Sequence, residues 1–153
     1  MNQALKRVAP IGEERDREIL KDAATYVYAE RADGPVQAHV YFPPGDKADK
    51  APRPVIIFFH GGFWDTPTPT QFVPHCLHFA SRGAVTITAE TRSQSVNQTG
   101  AIEAIEDSRD LIRWVRENAA DLNINPESVV IGGAAGGALL ALMTTMPKDK
   151  ALE

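Results

Sequence analysis

The sequence has little of what several classes of protein require. It has a single cysteine, Cys76, which excludes an internal disulfide and is typical of a reducing compartment. It has no apolar run long enough to cross a membrane. Residues 1–16 carry charges throughout and lack the apolar segment of a signal peptide. These absences predict a cytoplasmic protein with no membrane partner.

The sequence also lacks a strong charge of one sign and a cluster of metal ligands. Its 16 Lys and Arg residues are interspersed with 20 Asp and Glu residues, so no basic stripe indicates a nucleic-acid partner. No cysteine or acidic residue lies at ligand spacing beside His75 and His78, and we therefore expect no metal and no other cofactor. The apolar neighbours of Cys76 predict a buried, inert thiol.

What is present indicates one α/β domain. With 153 residues, of which 43% are hydrophobic, the chain can bury a core. We predict a charged leader over residues 1–22, a domain over residues 23–150, and a tail at residues 151–153 that is either native or a cloning-site remnant. Alternating residues 24–30 and 36–42 predict an antiparallel hairpin. Later apolar strands at 55–59, 84–90 and 128–133 alternate with helices at 71–81, 101–122 and 136–146, which predicts a predominantly parallel sheet.

The first glycine-rich corner is "FFHGGFW", residues 58–64, which follows a strand that is apolar on both faces. Gly61 and Gly62 let the backbone approach a ligand closely, and their N–H groups could form an oxyanion hole. The alternative is a tight turn that needs glycine for a positive φ.

The second corner is "VVIGGAAGGALLAL", residues 129–142, which reads as a strand, a sharp turn and a helix. A nucleophile elbow, G-x-S-x-G, has this shape and presents its central side chain at the apex of the turn. Gly132 and Gly136 take the flanking positions, and Ala134 takes the apex. No side chain in this turn is capable of nucleophilic chemistry.

The paired corners resemble the N-terminal half of an α/β-hydrolase, specifically carboxylesterases with an H-G-G-x-W loop, including kynurenine formamidase-like and acetyl-esterase-like enzymes. His60 and Trp64 match the loop, "SRGAVTITAETR" resembles the family's "SRG…EYR" segment, and "GAAGGALLA" resembles "GSAGGHLA". The resemblance implies an oxyanion hole formed by the N–H groups of Gly61, Gly62 and Ala135. It implies a structural pair between Glu90 and Arg92, for which a solvated charge pair is the alternative. Phe63 and Trp64 themselves suggest an apolar wall, and core packing is the equal alternative for Trp64.

Two departures from the family pattern decide the functional expectation. Ala134 stands where the family has serine, and a methyl group cannot attack a carbonyl. The family order is Ser, Asp, His, but Asp149 is the only aspartate after position 134 and no histidine follows it. We therefore predict a truncated α/β-hydrolase fold, related to carboxylic ester hydrolases, without serine-hydrolase turnover. The strand at 128–133 would then lie at an exposed sheet edge, which predicts self-association.

Two other functions remain open from the sequence. The chain could be a non-catalytic binding or scaffolding protein whose glycine N–H groups hold a small ester or anionic ligand. It could also bind a nucleotide, because Gly132, Ala134 and Gly137 fit a G-x-A-x-x-G variant of the dinucleotide fingerprint. That second alternative requires an acidic residue at the end of a following strand, which the sequence does not contain.

Overall fold

The fold is organised around a five-stranded mixed sheet, seen in a computed structural model that describes residues 5–45 and 51–146. The strands are β1 (Ala24–Arg31), β2 (Gly34–Tyr41), β3 (Arg53–Phe59), β4 (Val85–Ala89) and β5 (Ile124–Gly133), and the helices are α1 (Glu14–Ile19), α2 (Val73–Ser81), α3 (Gln94–Asn97), α4 (Ala101–Glu117) and α5 (Gly136–Thr145). The tail at 151–153 and the end of the predicted domain lie outside the described residues.

The strand order is β1-β2-β4-β3-β5. The β1–β2 hairpin is antiparallel and joins β4 through an antiparallel pairing of β2, while β3 pairs in parallel with β4 and β5. The predicted α/β fold with a parallel core and an N-terminal antiparallel hairpin is confirmed. Strand β3 lies between two parallel neighbours, which explains why its sequence is apolar on both faces.

Alternate side chains of β3 pack into two hydrophobic clusters, one on each face of the sheet. Ile57 and Phe59 belong to the larger cluster, which packs against α4. Phe58 points to the opposite face and joins a smaller cluster with Phe72 and Cys76 of the α2 side. The sheet therefore separates α2 from α4 in a three-layer arrangement. The predicted burial of Cys76 is confirmed, and burial raises the pKa of its thiol to about 12.

The largest differences from the prediction concern α4, β5 and α3, while other element ends shift by one or two residues. Helix α4 ends at Glu117 rather than at residue 122, and the turns that follow bring Asn123 to a φ of 53°. Strand β5 begins at Ile124, before the predicted turn, because the Asn-Pro-Glu segment is an irregularity within the strand where the register with β3 shifts. The short helix α3 has no apolar periodicity by which a sequence pattern would reveal it.

The predicted leader has a fixed place on the domain. The N–H of Val8 donates to the carbonyl of Thr25 at 2.9 Å, and Leu20, after α1, is completely buried in the smaller core. The predicted leader is rich in charged residues, but part of it packs against the sheet. No helix in residues 5–45 and 51–146 is long and apolar enough to span a membrane.

Candidate active site

The two glycine-rich corners lie at the same edge of the sheet. Phe59, at the end of β3, pairs with Gly133, at the end of the parallel neighbour β5, so both chains leave the sheet side by side. A methyl group added to Gly136 would lie 3.3 Å from the Cα of Phe63. The loop after β3 therefore packs directly on the turn after β5, at the edge where parallel sheets bind ligands.

The sharp turn after β5 has its apex at Ala135, one residue later than the sequence motif indicates. Ala135 has φ 49° and ψ −116°, which is a strained conformation for a non-glycine residue, and its side chain is exposed. Ala134 is half-buried and packs against the smaller core. The prediction that Ala134 occupies the apex therefore disagrees with the backbone geometry.

The close approach of two glycines explains this register. The sequence G-G-A-A-G-G satisfies G-x-x-x-G both as Gly132 with Gly136 and as Gly133 with Gly137. A Cβ at Gly133 would lie 2.4 Å from the backbone of Gly137, and a Cβ at Gly137 would lie 2.1 Å from the carbonyl oxygen of Phe59. In this pair, Gly133 and Gly137, any side chain would collide with neighbouring backbone atoms, so both positions need glycine. Ala135 lies midway between them in the sequence.

The loop after β3 carries the predicted oxyanion donors, and one of them already has an acceptor. The N–H of Gly61 donates to Oε1 of Gln71 at 2.7 Å. A Cβ on Gly61 would lie 3.7 Å from the Cβ of Ala135, so this N–H group is beside the apex. Gly62 has φ 111°, a backbone conformation that residues other than glycine rarely adopt. The structure thus brings Gly61 and Ala135 together, and the Gln71 side chain accepts the hydrogen bond that the Gly61 N–H would offer to a ligand.

His60 holds this loop rather than facing a nucleophile. Its Nδ1 lies 2.7 Å from the carbonyl oxygen of Gly61 and 3.1 Å from Oγ1 of Thr68. Burial lowers the pKa of the imidazole, so the ring is neutral at pH 7. The opposite nitrogen, Nε2, is buried and has no hydrogen-bond partner within the described residues. The ring's role in this geometry is to fix the path of the Gly61 peptide.

The two aromatic residues of the loop do not line the cleft. Trp64 packs against the larger core, and its backbone carbonyl accepts a hydrogen bond from the N–H of Gln94 at 2.6 Å. Phe63 is 74% exposed and lies edge-on to Trp64, with ring centroids 6.2 Å apart. The described residues that line the cleft include neither of the two, so the expected apolar wall is wrong at Phe63, while Trp64 follows the alternative of core packing.

Glu90 and Arg92 line the cleft but do not pair with each other. Oε1 of Glu90 lies 3.6 Å from Nε2 of the buried His39. Arg92 instead donates through Nε and its backbone N–H to the carboxylate of Asp107, which is completely buried on α4 and also accepts from Arg31. The predicted pair is replaced by this buried carboxylate, because Asp107 lies between two guanidinium groups.

The cleft above the two corners has a volume of about 1120 Å³. Its walls are the loop after β3, the segment from the end of β4 through α3, the β1–β2 turn, the turn at Ala134 and Ala135, and residues 11–13, 15 and 16 of the predicted leader. The sequence patterns did not identify the leader or α3 as walls. Neither segment carries a motif, and only the tertiary contacts of the chain place them there.

Comparison with known proteins agrees with this geometry. The BD-FAE family model matches residues 39–153. Carboxylesterase NlhH of Mycobacterium tuberculosis is 30% identical over 120 residues, a match that covers 74% of this chain and 35% of NlhH. Neuroligin-like protein glit-1 of Caenorhabditis elegans is 30% identical over 122 residues, covering 74% of this chain and 16% of that protein.

Solved esterase structures are also similar to this chain. The propionate-bound esterase Est2 of Thermogutta terrifontis superposes with a TM-score of 0.78 and 34% identity, covering 85% of this chain and 47% of Est2. The chain thus spans about a third of the length of NlhH and just under half of Est2. Fold, strand-end corners and sequence similarity agree: the chain belongs to the BD-FAE family, an esterase family of the α/β-hydrolase superfamily.

Proposed function

We propose that this chain holds an ester, or the carboxylate released from one, in its cleft without hydrolysing it through a serine nucleophile. The observation that carries the proposal is the exposed methyl group of Ala135 at the strained apex, beside the N–H of Gly61. Nucleophilic catalysis needs an oxygen, sulfur or nitrogen atom at that point, and neither Ala134 nor Ala135 supplies one.

Backbone N–H groups supply the binding interaction in this proposal. Gly136 is the first residue of α5, so its N–H has no acceptor within the helix and lies at the positive end of the helix dipole. Because the apex is Ala135, we assign the donor role after the apex to Gly136 in place of Ala135. Gly61 and Gly62 remain the donors from the first corner.

The Gly61–Gln71 contact supports a carbonyl-type ligand. The atom that Gly61 N–H now binds is the carbonyl oxygen of a side-chain amide, which is the kind of acceptor that an ester or carboxylate presents. An external ligand at Gly61 has to displace Gln71 Oε1. Because Est2 structures contain propionate and butyrate, short carboxylates are suitable probes. The family match also favours this function over the dinucleotide alternative.

The test combines binding with turnover. In an amide NMR titration of the full chain, we expect sodium propionate to shift the resonances of Gly61, Gly62 and Gly136, while sodium chloride at equal ionic strength leaves them unchanged. With p-nitrophenyl butyrate, we expect no release of nitrophenol above the buffer rate. Propionate that leaves all three amides unshifted would contradict the binding role, and a stoichiometric burst of nitrophenol would contradict the absence of catalysis.

Replacement of Gln71 sharpens the binding test. Gln71→Ala removes the internal acceptor, so propionate no longer competes with a hydrogen bond worth about 1 kcal/mol. We expect propionate affinity to rise about fivefold, since 1.4 kcal/mol corresponds to tenfold. Gln94→Ala is a matched control, because the Gln94 side chain is exposed and only its backbone contacts the loop. Equal affinities for wild type and Gln71→Ala would show that propionate binds away from Gly61.

We also propose that the protein works in the cytoplasm. The support is the single cysteine, which is free and buried and so is compatible with a reducing compartment.

A further inference from the structure

One end of the cleft is formed by the N-terminal strap, which we define as residues 8–16. Gln37, which is 1% exposed, clamps the strap through its side-chain amide. Its Oε1 accepts from the N–H of Ile11 at 2.9 Å, and its Nε2 donates to the carbonyl of Ala9 at 3.0 Å. A buried amide with both ends hydrogen-bonded to one segment fixes the backbone path of that segment. The strap is therefore a wall with a defined position.

Helix α3 forms the neighbouring wall and is tethered at both ends. The N–H of Ser95 donates to the carbonyl of Asp65 at 2.9 Å, and Nδ2 of Asn97 donates to the carboxylate of Asp33 in the β1–β2 turn. Ser93, at the start of this helix, also lines the cleft, and its buried hydroxyl has no partner within the described residues. An unpartnered buried hydroxyl is costly unless water or a ligand completes it.

Each of these two walls presents one exposed apolar side chain to the cleft. Ile11 of the strap is 55% exposed, and Val96 of α3 is 65% exposed. Among the large hydrophobic residues that the described chain leaves exposed, these are the two that line the cleft. Apolar area in a concave site strengthens binding when a ligand removes it from water.

We propose that Ile11 and Val96 form a subsite for the apolar chain of the bound ester or carboxylate. This inference rests on the proposed function, because the carbonyl end of the ligand is taken to lie at Gly61 and Ala135. It adds the ligand class: carboxylates and esters with an alkyl chain longer than that of propionate. The strap and α3 then determine chain-length preference, while the two glycine corners hold the carbonyl group.

The test is a homologous series of sodium acetate, propionate, butyrate and hexanoate, titrated into the full chain and followed by calorimetry. We expect affinity to increase up to about fourfold for each added methylene, the gain for complete burial of a CH₂ group. In Ile11→Ala/Val96→Ala this gain falls below about twofold per methylene, while acetate affinity is unchanged. Ile102→Ala is the matched control, because Ile102 is 72% exposed on α4 and does not line the cleft. A chain-length gain that is absent in wild type, or that survives in the double variant, would overturn the subsite.

A neutral ligand separates this inference from the proposed function. In methyl NMR spectra, we expect 1-hexanol to shift the resonances of Ile11 and Val96 even though it lacks a carboxylate. If no carboxylate binds but 1-hexanol shifts these methyl groups, the proposed function is wrong and the subsite stands. If neither hexanoate nor 1-hexanol moves them, the subsite itself is disproved.

Discussion

At the residue scale, the most informative position is the strained apex after β5. Ala135 adopts φ 49° with an exposed methyl group, whereas Ala134 turns toward the smaller core. A reactive atom placed at these two neighbouring positions should therefore meet very different environments. The buried Cys76, whose pKa is raised to about 12 by burial, gives the wild-type chain an unreactive background.

Cysteine scanning tests this assignment. We expect iodoacetamide at pH 8 to leave the native wild-type chain unmodified and to label Ala135→Cys quickly, because the new thiol is exposed at the N-terminus of α5, where the helix dipole favours the thiolate. Ala134→Cys should react at least about tenfold more slowly, since burial disfavours its thiolate. Mass spectrometry over time measures both rates. If Ala134→Cys were labelled faster than Ala135→Cys, the apex would be at Ala134, as the sequence motif indicates.

The same residues show what the sequence could and could not predict about the site. The glycine pair at Gly61 and Gly62 and the turn after β5 were found because glycine marks places where backbone must approach closely. The sequence does not predict which alanine lies at the apex of that turn, because G-G-A-A-G-G contains the spacing G-x-x-x-G twice. Contact between Gly137 and the Phe59 carbonyl selects one of them, and that contact exists only in the folded chain. The occupation of Gly61 N–H by Gln71 depends likewise on a loop conformation without a sequence signature.

At the scale of elements, the buried carboxylate on α4 joins three parts of the chain. Asp107 is completely buried and accepts hydrogen bonds from Arg31 at the end of β1 and from Arg92 after β4. From the sequence we expect Asp107, on the long helix, to support packing rather than catalysis, but no sequence pattern identifies its two guanidinium partners. Burial becomes possible here because two guanidinium groups compensate the charge.

Replacing that carboxylate should destabilise the fold. For Asp107→Asn, we expect the free energy of unfolding to decrease by about 3 kcal/mol, because two guanidinium groups lose the buried carboxylate they share and each keeps only one, more exposed carboxylate partner. Urea denaturation followed by circular dichroism measures the change. The control is Asp121→Asn, an exposed residue after α4, which should alter the free energy of unfolding by less than about 0.5 kcal/mol. Equal small effects for both variants would show that Asp107 contributes no more than a surface carboxylate.

Strands were predicted better than the segments between them. Alternation identified β1 and β2, and apolar runs identified β3 and β4, because burial on one or both faces leaves a direct pattern in sequence. The N-terminal strap leaves no such pattern. Its position comes from hydrogen bonds between its backbone and the Gln37 side chain. Any residue at position 9, and any residue except proline at position 11, could form them.

At the scale of the whole molecule, β5 forms one edge of the sheet. Pro126, Glu127 and the register shift protect the start of this strand, but residues 128–133 carry no charge or proline, and Val130 is 54% exposed. Two copies of β5 related by a twofold axis through Val130 would place Val129 opposite Ile131 and Glu127 opposite Gly133. This antiparallel register opposes no like charges, so we propose a second copy of the chain as the occupant of the edge.

Light scattering coupled to size-exclusion chromatography tests the proposed dimer. We expect the wild-type chain to show the mass of two chains, with a monomer fraction that grows on dilution, because association depends on concentration. Val130→Lys should be monomeric, since a lysine at the centre of the edge opposes its own copy. Ile102→Lys, at a residue of α4 that is 72% exposed and lies away from β5, should remain a dimer. A wild-type monomer at micromolar concentration would argue against the pairing.

The strand order also constrains how the chain can acquire its structure. Strand β3 lies between β4 and β5, and both of these partners follow it in the sequence. During synthesis, the most apolar strand must therefore wait for residues up to Gly133 before both of its hydrogen-bonding edges are satisfied. Such distant parallel pairings close slowly. Until β5 is available, one hydrogen-bonding edge of this apolar strand stays unpaired, and an unpaired strand edge favours aggregation.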